Sequence, residues 1–460
     1  MKILVQKFGG TSVASDENRQ RAASKVIRAI QSGWKVVVVV SAIGRKGAPY
    51  ATDTLIDTLR AVDPAVPPAS RELDMMMACG EIISTVVFAQ TLRTKGYEAV
   101  ALTGQQAGIL TDYEFGNARI QSIDPAYILR MLDEGRVAVV AGFQGGTEFG
   151  AITTLGRGGS DTTASALGAA LKPHADEVGV EIYTDVNGVK TADPRHVPDA
   201  RTLAVATYEE VAAMAHQGAK VVHPRAAELA NQYRIPLWVK STFDDEAGTL
   251  ITNEDTVGDD IRLRVTGVTN TGQIVYLRFE LPSGNEDDKG QIELEIYRML
   301  RGEQIPLYLN STTGASFAFA IAREHLPRVR VLLDGLVVPV ALGQRRRPPF
   351  GRVYLLGLGM WAGFLAQRKM LEAAASFVEL HTIEARVQEN CTVVSVIASR
   401  FQGVPGVIAL ILEALARANV PVYQTADSPH SISVLIPEGD ANNAVRALHN
   451  VFRLGQPAAG

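Results

Sequence analysis

One run of β-branched residues constrains the fold more than any other feature of this chain. Residues 35–41 read KVVVVVS, so five consecutive valines leave no polar face for solvent. Such a run is typical of a central strand that is covered on both faces, as in a parallel sheet packed between helices. The sequence therefore predicts an α/β fold in which this strand lies inside the sheet.

Strands and helices alternate along the first half of the chain around that run. The other predicted strands lie at 3–8, 97–102, 137–142, 181–184 and 236–240, and the predicted helices at 16–32, 71–93, 125–134, 209–216 and 224–233. Alternation of this length predicts a mainly parallel sheet with helices on both faces. Ligands of such sheets bind at the carboxyl ends of the strands, and each glycine- or Asp-rich motif of this half follows a strand.

The second half of the chain has a different organisation. Two of its segments repeat the order β-α-β-β-α, which is typical of a small ferredoxin-like unit, and such a pair suggests a regulatory module for a small effector. The predicted parts are a catalytic domain at 1–243, a linker at 244–262, ferredoxin-like units at 263–338 and 383–454, and an insertion of unknown role at 339–382 between them. The arginine run at 345–347 within the insertion fits a solvated turn or an anion or subunit contact.

Composition excludes several classes of protein. A net charge of −4 with 20% charged residues gives no reason to expect nucleic acid or an anionic membrane as partner. Cys79 and Cys391 are the only cysteines and form no disulfide framework or zinc pattern, which fits a reducing cytoplasm. The longest apolar run, 353–366, falls short of the ~20 residues of a membrane span, and the N-terminus resembles a buried strand more than a signal peptide.

A glycine loop at 153–163, TTLGRGGSDTT, predicts an anion site. Ser160 or Asp161 is expected to cap the helix that follows, and the N-terminus of a helix attracts anions. Arg157 in the loop can bind a carboxylate or phosphate through two hydrogen bonds. Asp161 is unfavourable for an anion unless a cation or an ammonium lies nearby. The loop therefore suits a ligand with both signs of charge, or an anion with Mg²⁺; the alternative is a simple flexible turn.

Three further motifs carry charged groups beside glycines. Lys7 precedes Gly9 and Gly10 and suits a phosphate, because an ammonium, free N–H groups and short donors meet there. Glu81 in CGE (79–81) could bind an ammonium, or could only complement the dipole of a helix that begins there. The motifs YTDVNGV (183–189), TADPR (191–195) and GAK (218–220) are typical of a nucleotide-side loop with phosphate-neutralising cations.

Taken together, these motifs resemble the aspartate kinase family. The matching segments are KFGGTSV at 7–13, SA at 41–42, CGE at 79–81, TTLGRGGSDTTA at 153–164, YTDVNGVKTADPR at 183–195 and GAKVVHPRA at 218–226. The repeats resemble paired ACT domains, and VPGV (404–407), QTADS (424–428) and ALHNVF (447–452) look most like the diaminopimelate-sensitive Bacillus-type members.

The resemblance implies an amino-acid-kinase fold and a reaction. ATP with Mg²⁺ would phosphorylate the β-carboxylate of L-aspartate, the first step toward lysine, threonine, methionine and diaminopimelate. The enzyme would be cytoplasmic and a feedback-regulated homo-oligomer, a dimer or a tetramer, with an amino-acid effector at its ACT domains. The β-carboxylate is ionised at pH 7, so no general base is needed, and catalysis reduces to alignment and charge neutralisation.

The resemblance also implies roles for individual residues. Lys7 and Asp161 would be catalytic, with no protein ligand to a metal. The residues implied for ATP are Lys7, Gly9, Gly10, Ser41, Thr184, Asp185, Arg195 and Lys220. The residues implied for aspartate are Thr52, Glu81, Arg157, Gly158, Gly159 and Ser160.

Two alternatives to this function remain at the level of sequence. Another amino-acid kinase, such as one acting on glutamate, would share the fold, although the paired ACT-like units and the CGE motif count against it. A non-catalytic ACT-containing sensor subunit would be expected to lack the charged site residues. The effector stays open between lysine, threonine, diaminopimelate, a pair of them, or none.

Overall fold

The structure is a computed structural model that describes residues 1–219, 222–253, 265–283, 285–340, 352–358, 379–401 and 405–456. Two expectations lie outside the described residues: the site residue Lys220 and the arginine run at 345–347.

The first half of the chain alternates strands with helices as predicted. Its strands are β1 (Lys2–Phe8), β2 (Lys35–Val40), β3 (Ala99–Leu102), β4 (Ile109–Thr111), β5 (Ile120–Ile123), β6 (Val137–Ala141), β7 (Gln144–Gly146), β8 (Ile152–Thr154), β9 (Glu177–Thr184), β10 (Val205–Thr207), β11 (Leu237–Ser241) and β12 (Thr249–Thr252). Its helices are α1 (Asp16–Gln31), α2 (Thr52–Arg60), α3 (Ser70–Arg93), α4 (Ala126–Asp133), α5 (Gly159–Leu171), α6 (Tyr208–His216) and α7 (Pro224–Gln232).

The main sheet of this half has eight strands in the order β10-β12-β11-β9-β1-β2-β6-β3. All its pairings are parallel except that between β11 and β12. The valine run forms β2, which lies between β1 and β6. Val37 and Val39 pack into the core on one face of the sheet, and Val36, Val38 and Val40 into the core on the other. The predicted α/β fold with a strand buried on both faces is confirmed.

Short strands account for the main differences from the predicted first half. The stretch expected to be a linker contains β12, which pairs antiparallel with β11 and parallel with β10, so 236–240 is not the last strand of the sheet. A second sheet, in the order β5-β4-β7-β8, was not predicted. Strands of three or four residues carry too little alternation to be distinguished from loops.

Helix α3 is unusually apolar for its length. Among the described residues it is the one helix long and apolar enough to cross a bilayer, but 56% of its most apolar stretch is buried inside the protein. It packs across β3, β6 and β8, which is the environment of a core helix.

The second half contains β13 (Val265–Glu280), β14 (Tyr308–Thr312), β15 (Ser316–Ala322), β16 (Val337–Val340), β17 (Arg352–Gly357), β18 (Glu379–Ala398), β19 (Gln424–Asp427) and β20 (Ser431–Pro437). Its helices are α8 (Lys289–Gly302), α9 (Leu326–Leu333), α10 (Val407–Arg417) and α11 (Ala441–Val451).

The two predicted repeats share their longest strands. Strands β13 and β18 pair antiparallel, from Val265 opposite Ala398 to Phe279 opposite Ala385. Strand β15 adds to the later half of β13, whereas β20 adds to the later half of β18. The predicted boundaries treat each repeat as one contiguous segment, but the pairing interleaves them. Periodicity in a sequence identifies a strand and does not identify its partner, which is why the sharing was missed.

The described parts of the predicted insertion belong to this second sheet. Strand β17 pairs parallel with the beginning of β18 and antiparallel with β16. The buried Tyr354 in β17 stacks on His381 in β18 and donates a 2.7 Å hydrogen bond to Asp288. These residues extend the sheet and are not a separate appendage.

Candidate active site

A cavity of about 530 Å³ opens where β1, β2 and β8 end. The predicted site residues that line it are Lys7, Gly10, Ser41, Thr52, Glu81, Arg157, Gly158, Gly159, Ser160 and Asp161. A larger cavity of about 640 Å³ lies between β5, α5 and α7, and none of the predicted site residues lines it. The smaller cavity is therefore the candidate active site.

Lys7 and Asp161 form an ion pair at one wall of this cavity. The Lys7 ammonium lies 2.7 Å from Asp161 Oδ1, and the two side chains are only 12% and 13% exposed. Lys7 extends from β1, opposite Val39 of β2 and Ile182 of β9, so its charge needs a partner in the interior. Asp161, in the first turn of α5, supplies that partner.

The glycine loop between β8 and α5 adopts left-handed backbone at Gly156 (φ 75°) and Gly158 (φ 68°). Helix α5 begins at Gly159 with Gly158 as its N-cap, so the expectation that Ser160 or Asp161 caps the helix is wrong. A Cβ at Gly158 would lie 2.1 Å from Cγ of His223, so both φ and space require glycine here. Ser160 instead accepts a 3.0 Å hydrogen bond from the Ser41 hydroxyl, which joins the loop to the end of β2.

Glu81 lies near the middle of α3 and not in its first turn. The helix begins at Ser70, so the alternative that Glu81 complements a helix dipole is wrong. Its carboxyl group is buried, and Oε1 accepts a 3.1 Å hydrogen bond from the backbone N–H of Ala42. Burial raises the pKa of Glu81 to about 8. Its other oxygen, Oε2, is buried and has no hydrogen-bond partner among the described residues.

Arg157, in contrast to the buried Glu81, is exposed to solvent. Its side chain is exposed at the mouth of the cavity, and it makes no ion pair with any residue in the described part of the chain. Thr52, the first residue of α2, lines the same cavity. Within the described structure, one cavity thus presents a carboxyl oxygen that accepts no hydrogen bond and a guanidinium without an ion-pair partner.

Of the residues predicted for ATP, Lys7, Gly10 and Ser41 line this cavity, whereas Gly9, Thr184, Asp185 and Arg195 do not. Strand β9 ends at Thr184 beside the end of β1, where the Gly9 N–H donates to Tyr183 O at 3.3 Å. Asp185 pairs with Arg45 at 2.7 Å and accepts from the Thr184 hydroxyl at 3.1 Å. Arg195 is exposed and pairs with Asp193. Thr184 and Asp185 therefore lie at the edge where β9 and β1 end, and none of these three side chains lines the cavity.

Asp74 is a residue of the site region that the sequence reading missed. It is fully buried in α3, and its carboxylate accepts from the N–H groups of Gly116 (2.9 Å) and Thr154 (2.8 Å) and from the Thr154 hydroxyl (2.8 Å). The signal was present, since Asp74 and Glu81 are seven residues apart in an apolar helix and therefore share a face. Asp74 ties α3 to the last residue of β8, just before the glycine loop.

Phe143 was also missed. It lines the cavity with φ 69°, which is uncommon outside glycine. Its N–H donates to the Thr163 hydroxyl oxygen at 3.1 Å, and its carbonyl accepts from the Leu155 N–H at 2.8 Å, so it is held between α5 and the glycine loop. No sequence pattern distinguishes it from any residue that follows a strand.

Known proteins resemble this chain over almost its whole length. The amino acid kinase family matches residues 2–241, and an ACT domain family matches residues 386–450. Aspartokinase 1 of Bacillus subtilis is 39% identical, over 99% of this chain and 100% of that protein. The aspartokinase of Geobacillus stearothermophilus is 38% identical, over 100% of this chain and 99% of that protein. The solved structure of Escherichia coli aspartokinase III with aspartate and ADP has a TM-score of 0.69 at 25% identity, covering 98% of this chain and 99% of that one.

Proposed function

The chain belongs to the aspartokinase family, and from that premise we propose that the cavity between Lys7, Glu81 and Arg157 holds L-aspartate with its β-carboxylate facing the γ-phosphate of ATP. The protein is an ATP-dependent aspartate kinase that forms 4-phospho-L-aspartate and is regulated through ACT domains. The reaction begins the synthesis of lysine, threonine, methionine and diaminopimelate.

One observation carries the assignment of the substrate site. A buried Glu81 oxygen without a hydrogen-bond partner in the described structure and an unpaired Arg157 line the same cavity. L-Aspartate carries one ammonium and two carboxylates, so its ammonium would donate to that Glu81 oxygen and its α-carboxylate would pair with Arg157. Thr52 and the backbone of Gly158, Gly159 and Ser160 would contact the same ligand.

Once L-aspartate is bound, catalysis requires that its β-carboxylate is aligned with the γ-phosphate and that the charge on the moving phosphoryl group is neutralised. The Lys7 ammonium, which the Asp161 carboxylate holds in place, would face the charge that moves with the phosphoryl group. The β-carboxylate needs no base, because an aspartate side chain in water has a pKa of about 3.9 and is already ionised at neutral pH. Asp161 thus orients Lys7 and accepts no proton from the substrate.

The nucleotide would lie along the edge formed by β1 and β9. Gly10 would present its N–H group to the phosphates and Gly9 would lie beside them, with Ser41, Thr184, Asp185, Arg195 and Lys220 around them. Glycine at position 10 also lets the backbone at Gly44 pack closely against it, because a Cβ on Gly10 would lie 2.6 Å from Gly44 O. Arg195 would have to exchange its pairing with Asp193 for one with a phosphate.

Magnesium would accompany ATP. The described residues hold no group of three or more His, Cys, Asp or Glu side chains that could bind a metal. That fits an ion held mainly by phosphate oxygens and one or two carboxylates, with Asp185 as the exposed carboxylate beside β9. The ion would neutralise charge on the β- and γ-phosphates.

Several finer properties belong to the proposal. We infer a cytoplasmic homo-oligomer, a dimer or tetramer, in which an amino acid binds the ACT region as effector. The non-catalytic sensor alternative is disfavoured, since Lys7, Glu81, Arg157 and Asp161 all line one cavity.

The deciding experiment measures ADP release by the purified protein with ATP and Mg²⁺. L-Aspartate is compared with L-glutamate, with and without lysine, threonine or diaminopimelate. Turnover that depends on aspartate and falls with one effector supports the proposed site and identifies the effector. Turnover with glutamate alone would contradict the substrate assignment, and no turnover with either amino acid would favour a sensor.

A further inference from the structure

The part of the chain that would carry Arg195 to ATP is anchored by the C-terminal end of the protein. We call residues 185–201 the nucleotide segment. It follows β9 directly, and several of its residues are buried. Ala192 (4% exposed) and Val197 (2% exposed) pack into the same hydrophobic core as Leu448, Phe452 and Leu454. The described nucleotide segment is thus packed against regulatory residues.

Polar contacts fix the same region. Thr191, fully buried, hydrogen-bonds through Oγ1 to Nε2 of His449 in α11 at 3.0 Å. The backbone N–H of Arg201 donates to the same hydroxyl oxygen at 3.2 Å, and the Arg201 guanidinium donates to Leu454 O at 2.9 Å. The Thr191 hydroxyl therefore joins both ends of a loop to the C-terminal helix.

The backbone around Thr191 is held from the opposite side by β13. The N–H of Val268 donates to Thr191 O at 2.8 Å. Gly267 permits this approach, because a Cβ on it would lie 2.9 Å from Thr191 O. Thr191 is thus held between β13 and α11, with little freedom to move apart from them.

Packing alone does not explain why a histidine occupies position 449. The ring is 1% exposed in an apolar core, and its Nδ1 has no hydrogen-bond partner within the described ranges. Burial lowers the pKa of His449, so the ring contributes no charge near neutral pH. An apolar side chain of similar size would fill the space without leaving a buried nitrogen unsatisfied. The contact with Thr191 is what a histidine provides here and a leucine would not.

We propose that His449 is a positioning residue for ATP: through Thr191 it holds the nucleotide segment in the conformation that presents Arg195 to the phosphates. This inference rests on the proposed nucleotide role of that segment. It makes ATP binding depend on the C-terminal helix even when no effector is bound, while the aspartate site, which is built on α3 and α5, is left unaffected.

The test uses steady-state kinetics of the full-length enzyme without effector. His449→Leu keeps the side-chain volume and removes the hydrogen bond, and Thr191→Val removes the hydroxyl alone. Each is expected to raise KM for ATP about fivefold to tenfold, the equivalent of one buried hydrogen bond, with KM for aspartate unchanged. The double variant should be no worse than either single one, because both remove the same contact. His449→Gln, which can return a polar atom near Nε2, should restore part of the affinity.

Two further variants separate positioning from loss of stability. Thr392→Val removes a buried 3.0 Å hydrogen bond to Thr271 O inside the C-terminal sheet and should lower Tm without changing KM for ATP. Arg446→Gln removes a surface hydrogen bond to His196 O at 2.8 Å, cannot disturb the core, and should raise KM for ATP about twofold. An unchanged KM for ATP in both His449→Leu and Thr191→Val would overturn the inference, as would equal rises in both KM values that track Tm.

Arg195→Ala examines the proposed function independently. A raised KM for ATP supports it. If that KM is unchanged while His449→Leu still raises it, the role of Arg195 is wrong, and His449 positions the nucleotide segment for a contact that another of its residues makes with ATP.

Discussion

Thr154 donates two hydrogen bonds to Asp74, one from its backbone N–H and one from its hydroxyl, both at 2.8 Å. Together with the N–H of Gly116, they satisfy a carboxylate that is fully buried and has no cationic partner among the described residues. The glycine loop follows Thr154 directly, so its position is set by α3, the helix that also carries Glu81. The Asp74 side chain therefore fixes the position of the glycine loop, which carries Arg157, relative to Glu81 on α3.

Asp74→Ala leaves two buried donors of Thr154 and the N–H of the more exposed Gly116 without an acceptor. Each such group costs about 1–3 kcal/mol, so we expect the free energy of unfolding to fall by about 3 kcal/mol or more, and KM for aspartate to rise more than KM for ATP. Urea denaturation and initial rates measure both quantities. Asp57→Ala, an exposed acid on α2, is the control and should change stability by less than about 0.5 kcal/mol. Equal stability of the two variants would contradict the role of Asp74.

The pKa of Glu81 predicts how aspartate binding depends on pH. Only the ionised carboxylate attracts an ammonium, and burial raises its pKa to about 8. KM for aspartate should therefore fall about tenfold per pH unit as pH rises toward 8, and level off above it. Glu81→Gln should have a higher KM with a flat profile. The same slope in both proteins would exclude Glu81 as the titrating group.

The raised pKa of Glu81 also makes the stability of the protein depend on pH. The folded protein keeps the Glu81 proton up to about pH 8, whereas the unfolded chain releases it near 4.5. The contribution of this group to the free energy of unfolding thus declines as pH rises between those values, and Glu81→Gln should abolish that part of the decline. Thermal melts of both proteins at several pH values measure the difference.

Lys7→Ala is expected to abolish turnover. The ammonium acts on charge that develops as the phosphoryl group moves, so kcat should fall by about 10²-fold or more. Nucleotide binding, followed by calorimetry, should weaken far less. Lys7→Arg keeps the charge and serves as the comparison. Turnover near the native rate in Lys7→Ala would show that the ion pair with Asp161 is structural only.

Arg157→Ala should weaken the binding of aspartate without affecting the binding of ATP. The guanidinium is exposed and unpaired in the described structure, so its removal should leave Tm unchanged, while KM for aspartate rises about tenfold to a hundredfold and KM for ATP stays constant. Arg157→Lys should recover only part of the loss, because an ammonium cannot form the paired contacts of a guanidinium. A rise in KM for ATP of the same size would place Arg157 on the nucleotide instead.

Gly158→Ala tests the turn that begins α5. The new Cβ would meet His223 at 2.1 Å in a left-handed conformation, so we expect a loss of about 1–3 kcal/mol in stability together with impaired aspartate binding. Gly290→Ala, in the exposed first turn of α8 with open space around it, should be neutral or slightly stabilising. Native activity in Gly158→Ala would contradict the strain argument.

The features that could be predicted from the sequence depend on residues close together in the chain. The valine run identified a strand buried on both faces, and glycines after strands marked the loops that form the cavity. Lys7 and Asp161, each noted for its charge beside glycines, form an ion pair in that cavity. Each of these conclusions depends on residues within one or two elements.

What could not be predicted depends on contacts between distant segments. Periodicity shows that 265–280 and 379–398 contain strands, but their pairing is decided by packing across the whole C-terminal half. The cap of α5 is Gly158 because His223, far along the chain, occupies the adjacent space. The spacing of Asp74 from Glu81 places both on one face of α3, but the partners of Asp74, Gly116 and Thr154, come from two other segments and could not be predicted.

The burial of Ala192 and Val197 among C-terminal side chains has a consequence for biosynthesis. Thr191 and His449 are 258 residues apart, so the ribosome makes more than half the polypeptide between them. Strands β1, β2 and β9 can pair soon after they emerge, but the segment that follows β9 finds the last of its apolar partners only when α11 and the residues after it have been translated. A nascent chain that stops short of this helix carries a nearly complete parallel sheet with an unsupported loop at its nucleotide edge. We therefore expect phosphoryl transfer to be acquired only after α11 has docked.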